Sequence, residues 1–160
     1  MMAAPRAFWR SCCGCRRVAD AIPTGGFAAL VPELDVEALD VSLDFWCAVL
    51  GFDIAYQRPE EGFAFLQREG AQVMLCQRHG NWDTAELERP FGRGMNFEIK
   101  VESVEPLLSA LAARNWKLFR PLEDAWYRIG AEAAGNRQFL VQDPDGYLLR
   151  FKEDLGRRPA

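Results

Sequence analysis

The chain is 160 residues long, 49% apolar and 26% charged, with a formal net charge of −4. That length suits one well-buried domain or two small fused modules, and no apolar run approaches the ~18 residues of a membrane-spanning helix. The charge is uneven: residues 1–26 carry four Arg against one Asp, while the rest carries 15 Lys/Arg against 22 Asp/Glu, a net of −7. An acidic domain disfavours nucleic acid as a partner and suits a cationic one.

Residues 1–26 read as a basic, disordered tail. Arg10, Arg16 and Arg17 interrupt the apolar core that a secretory signal needs, and Pro23-Thr24-Gly25-Gly26 closes the segment as a linker. The tail is expected to be dispensable for stability, and the protein to be cytoplasmic and reduced. An odd count of five cysteines is not a disulfide framework. Cys12, Cys13 and Cys15 lack a second Cys/His pair nearby, and Cys47 and Cys76 stand in apolar contexts as small buried hydrophobes.

Residues 27–36 are predicted to form a strand. Leu39, Leu43, Trp46 and Leu50 then recur at helix spacing, with Asp40 as N-cap and Gly51 after the last turn. Strand-like runs follow at 52–58, 63–68 and 72–77, separated by Pro59-Glu60-Glu61-Gly62 and Glu69-Gly70. After a loop at 78–93 the order repeats. Met95, Phe97, Ile99 and Val101 alternate as a strand, and Ser103 can cap a helix faced by Val104, Leu107, Leu108 and Leu111. Three strands follow near 117–122, 136–142 and 147–152, the last two joined by the turn Asp143-Pro144-Asp145-Gly146. The fold class is therefore α+β: two βαβββ modules (27–77 and 94–153) in a domain over 27–155, forming a curled mixed sheet with a concave groove.

Alternation assigns the faces. Leu30, Pro32, Leu34 and Val36 are expected under the helices, with Val31, Glu33 and Asp35 opposite. Met95, Phe97, Ile99 and Val101 oppose Asn96 and Glu98, while Leu149 and Phe151 oppose Arg150. Glu33, Asn96, Glu98 and Arg150 then line the groove.

Leu43-Asp44-Phe45-Trp46, Leu50-Gly51-Phe52 and Asp143-Pro144-Asp145-Gly146-Tyr147 together resemble the glyoxalase, bleomycin-resistance and extradiol-dioxygenase group, the vicinal-oxygen-chelate fold. Val31-Pro32-Glu33-Leu34 and Phe63-Ala64 resemble the bleomycin-resistance subgroup. The resemblance implies a homodimer with grooves between subunits. In the group's enzymes His and Glu hold a divalent metal; the equivalent places here are Val31, Gly94 and Arg150. A valine, a glycine and a cation do not suit a metal, so neither cofactor nor catalytic metal is expected. His79, the lone His, reads as a surface loop residue.

Other chemistry is sparse. Gly92-Arg93-Gly94 is too short for a phosphate loop, and one His supports no Ser–His–Asp set. Aromatic residues make the positive case, since flat and cationic ligands bind such rings. The resemblance places a stacking aromatic at Phe63. Trp82 lies in the inter-module loop, and Trp126 and Tyr127 in a long link before the seventh strand. The subgroup's aromatic before its Arg-x-Phe segment is replaced by Gly135. The resulting expectation is a non-catalytic protein that captures a cationic bleomycin-type antibiotic through Glu33, Phe63, Trp82, Asn96, Glu98, Trp126, Tyr127 and Arg150. Its alternatives are a metal-dependent lyase, isomerase or dioxygenase of the same fold, or a binder of an unrelated small metabolite.

Overall fold

The computed structural model describes residues 18–160. The cysteine cluster at 12–15 and most of the basic segment lie outside the described residues. The elements run β1 (Glu33–Val36), α1 (Leu39–Leu43) continuing into a π-helical stretch (Asp44–Val49), β2 (Asp53–Arg58), a 3₁₀ turn (Pro59–Glu61), β3 (Phe63–Arg68), β4 (Ala71–Gln77), β5 (Asn96–Lys100), α2 (Glu105–Ala113), β6 (Leu118–Ile129), β7 (Glu132–Gln142) and β8 (Leu148–Pro159). They build two mixed four-stranded sheets, ordered β1-β4-β3-β2 and β5-β8-β7-β6. In each, the first strand runs parallel to the last and the others pair antiparallel. The βαβββ repeat expected from element order is present.

The alternation also holds. Leu34, Val36, Ile99, Leu149 and Phe151 are buried in one core with Leu107 and Leu111 of α2 and Phe45, Trp46 and Leu50 of the first helix. Leu30 and Met95 depart from it, because they precede β1 and β5 and stand exposed. The first helix also differs from a plain amphipathic one. Phe45, Trp46, Cys47, Val49 and Leu50 are all buried, which is more than one α-helical face can cover. The chain widens into π geometry there, with Leu50 N–H donating to Phe45 O at 3.0 Å. Ala38, in extended geometry, takes the N-cap position, while Asp40 lies within the first turn and accepts from Val41 N–H. Ser103 bonds the N–H of Glu105 at the start of α2. Gly51 and Asn115 leave the two helices with positive φ, as their types suggest.

The modules are joined by the Asp143–Tyr147 turn. One Asp143 carboxylate oxygen accepts from the N–H groups of Asp145, Gly146 and Tyr147 at 2.9–3.0 Å, and the other accepts from Trp46 Nε1 at 3.2 Å. Asp145, also buried, accepts from Ser42 Oγ, Glu37 N–H and Arg89. Tyr147 Oη donates to Asp35 O at 3.0 Å.

Residues 18–26 differ from a detached tail. Ala19 and Ala21 donate backbone N–H groups to Ile54 O and Ala55 O at 3.1 and 3.0 Å, pairing with the outer edge of β2. Thr24 N–H donates to Gln67 Oε1 and Gly26 O accepts from Gln72 Nε2, each at 2.7 Å. A free strand edge offers such bonds to any extended segment beside it, and composition alone does not reveal this. Deleting residues 1–26 is therefore expected to lower Tm by about 5 °C or more, on the order of 1–2 kcal/mol. A chain starting at residue 18 keeps these bonds and serves as the comparison by thermal melting; equal Tm values would contradict the pairing.

Candidate functional site

On the second sheet, the face away from the helices carries a charged cluster. Glu98 on β5 and Arg150 on β8 are register partners, and Arg150 Nη2 is ion-paired with Glu98 Oε2. Lys152 Nζ reaches the other Glu98 oxygen at 2.8 Å. Arg150 Nε is buried without a partner among the described residues. Asn96 lies exposed at the start of β5. One residue here went unnoticed in the sequence: Gln138 of β7, only 2% exposed, donates to Tyr127 Oη at 2.7 Å and Glu123 Oε1 at 3.0 Å, while its own Oε1 has no partner. Alternation with Phe139 fixes its face; nothing in the local sequence signals its burial.

Trp126 and Tyr127 belong to β6 rather than to a link. They pair with Gly135 and Ala134 of β7 across a two-residue turn in which Gly130 has positive φ. A Cβ on Gly135 would stand 2.8–2.9 Å from three atoms of the Trp126 ring. The missing aromatic at 135 is thus matched by a ring folded over the glycine from the neighbouring strand, with the Arg158 guanidinium 3.9 Å from its centroid. Trp82 is exposed in the loop between modules.

The first sheet's corresponding face is aromatic. Phe63 and Phe65 of β3, Ala55 of β2 and Cys76 of β4 form a second buried cluster, flanked by Tyr56 and Met74. Tyr56 stacks on Phe65 with centroids 5.1 Å apart, and Phe27 meets Phe65 edge-on at 5.6 Å. The Arg58 guanidinium sits 3.8 Å from the Phe63 centroid, so a cation already occupies one face of that ring. Phe91 is core, packed against Tyr147. Glu33 is exposed at the start of β1.

At the C-terminal ends of β1 and β4, Asp35, Cys76 and His79 offer ligand atoms that all lie within 4.8 Å of one another. Burial, and then the Asp83 charge, pushes the Asp35 carboxyl above the usual range; burial, then Glu33 and Asp35, raises the Cys76 thiol. The proximity of Cys76 and His79 to Asp35 depends on strand register, which no local sequence pattern signals. On the helix side, a cleft of about 550 Å³ lies between the π-helical stretch, the β3–β4 turn and α2.

Two βαβββ modules, each with a helix against a four-stranded sheet, define a vicinal-oxygen-chelate architecture. Residues 29–151 match the family model described as the Glyoxalase/Bleomycin resistance protein/Dioxygenase superfamily, and the chain belongs to that family. It is similar to bleomycin resistance proteins of Geobacillus stearothermophilus and Staphylococcus aureus, at 25% identity over 137 residues, 78% of this chain and 96% of theirs. Among solved structures, TioX from Micromonospora sp. ML1 shares the fold with a TM-score of 0.63 at 23% identity, covering 81% of this chain and all of that one. A glyoxalase/bleomycin resistance protein/dioxygenase from Alicyclobacillus acidocaldarius does so with a TM-score of 0.56 at 21% identity, over 80% and 92%.

Proposed function

We propose that this chain is a cytoplasmic, non-catalytic binding protein that captures a cationic, partly planar antibiotic of the bleomycin type. The observation that carries the reading is the Glu98–Arg150–Lys152 cluster. By the family resemblance, the Arg150 guanidinium falls at the last-strand place of a metal-binding carboxylate, and Val31 and Gly94 fall at the other two ligand places. That donor set does not fit a catalytic cation. The near full-length similarity to bleomycin resistance proteins supports the same reading. Glu33 and Glu98 supply charge to a ligand cation, Phe63, Trp126 and Tyr127 supply ring faces, and Trp82, Asn96 and Arg150 line the approach. Glu98 exchanges its lysine or arginine partner for the ligand, and Arg58 and Arg158 yield the ring faces of Phe63 and Trp126 that they cover.

Titration calorimetry with copper-free and copper-loaded bleomycin tests this. Wild type is expected to bind, and Glu33→Gln, Glu98→Gln and Phe63→Leu each to weaken binding about fivefold or more, from contacts of about 1–3 kcal/mol. Added salt should weaken it further. Absence of heat at tens of micromolar would replace this reading with capture of an unrelated small metabolite. One metal ion per chain that is lost on Glu98→Gln would return the protein to the enzymes of the family.

The binding unit in this reading is a homodimer. Outer positions of the long β6–β8 ribbon expose Phe119, Leu122 and Ile129, a surface that a second copy would cover. Light scattering is expected to give twice the 18.1 kDa chain mass. A monomer at every concentration would contradict it.

A further inference from the structure

We propose that Asp35, Cys76, His79 and Asp83 form a zinc site at the rim of the first sheet, separate from Val31, Gly94 and Arg150. Asp35 and Cys76 are direct register partners on β1 and β4, so their side chains project from one face side by side. His79 follows Cys76 by three residues, and its Nδ1 accepts the Asn81 N–H at 3.0 Å, which fixes the ring. The three ligand atoms lie within 4.8 Å of one another. Tetrahedral zinc, with bonds of about 2.0–2.3 Å, separates its donors by about 3.5 Å, so side-chain movements of about an ångström complete the geometry.

Asp83 supplies the independent observation. Among the described residues its Oδ1 is buried without a hydrogen-bond partner, its Oδ2 is held only loosely by Arg78 at 3.5 Å, and its carboxylate lies against that of Asp35. Arg78, a cation beside the pair, is engaged more closely by Glu37, at 2.7 Å. Two carboxylates pressed together, one with an orphaned oxygen, are an unfavourable arrangement unless a proton or a cation lies between them. A thiolate and an imidazole beside them select a borderline-soft ion over calcium or magnesium. Asp83 then serves as the fourth donor. The bound ion ties the loop after β4 to β1 and closes the rim beside the Phe63–Phe65 cluster.

The test uses full-length chain purified without a His tag and stripped with chelator. Cys12, Cys13 and Cys15 are replaced by Ser so that their thiols cannot bind the probe. Cobalt(II) is added as a spectroscopic stand-in for zinc. One cobalt per chain is expected, with tetrahedral visible bands and a thiolate-to-cobalt charge-transfer band. Zinc should displace it and raise Tm by several degrees. Cys76→Ser should abolish the charge-transfer band. His79→Gln, at an exposed loop position that leaves folding intact, should weaken binding tenfold or more, and Asp83→Asn several-fold. Absence of the charge-transfer band in the folded Cys12/Cys13/Cys15-substituted chain, or cobalt affinity indifferent to His79→Gln, would overturn the site. Bleomycin binding is read separately, so failure of either proposal leaves the other standing.

Discussion

Replacing Asp143 with alanine is expected to destabilise the protein by about 3–4 kcal/mol, because four donors lose one acceptor group. Three are backbone N–H groups of its own turn, and the fourth is Trp46 Nε1 in the other module. Asp143→Asn should cost less. Its amide oxygen can keep the three backbone bonds, but its NH₂ then faces the Trp46 donor. The two variants also differ in pH response. Burial pushes the Asp143 carboxyl up to about 6, against the bonds from Tyr147, Trp46 and Asp145 that hold it down. A folded-state value above the unfolded one makes this contribution complete below about pH 4 and removes it as pH rises through about 6. Wild type should therefore lose stability from pH 4.5 to 7 through this group, at up to about 1.4 kcal/mol per pH unit, while Asp143→Asn lacks that component. Urea denaturation of both across the range is the measurement. Parallel pH profiles would show that Asp143 titrates at the same pH folded and unfolded.

The fold was legible in the sequence because it rests on local signals. Period-two alternation placed Leu34, Val36, Leu149 and Phe151 in the core, and Asp143-Pro144-Asp145-Gly146 marked a turn whatever lay around it. The candidate site was less legible because it depends on pairing. Glu98 could be assigned to a face, but its capture by Lys152 as well as Arg150 follows from parallel register between strands some fifty residues apart in sequence. The same holds for Asp35 with Cys76. A strand ending near 122 leaves Trp126 in a link; strand β6 instead continues to Ile129 through register irregularities around Arg120 and Glu123, which let a sequence interrupted by Pro121 remain paired. Residues 18–26 pair with a sheet edge through backbone groups, which carry no side-chain signature at all.

Trp46→Ala should be as damaging as any single change in the described core, at about 3–5 kcal/mol. The ring is 1% exposed, sits edge-on to Phe52 with centroids 5.0 Å apart, and donates Nε1–H to Asp143 across the modules. Three consecutive buried residues, Phe45 to Cys47, occupy the π-helical stretch, so a neighbouring side chain cannot swing into the vacancy without losing its own contacts. Trp46→Phe separates the two roles of the ring: it keeps most of the burial and removes the donor, for an expected loss of about 1–2 kcal/mol. Combining Trp46→Phe with Asp143→Asn removes the donor and the conflict it creates together, so the pair should cost less than the sum by about 0.5–1.5 kcal/mol. A double-mutant cycle by urea denaturation measures that coupling. Additive losses would mean that each module holds its own half of the joint. A coupling of the expected sign would make the Trp46–Asp143 bond a link through which the two modules fold as one unit.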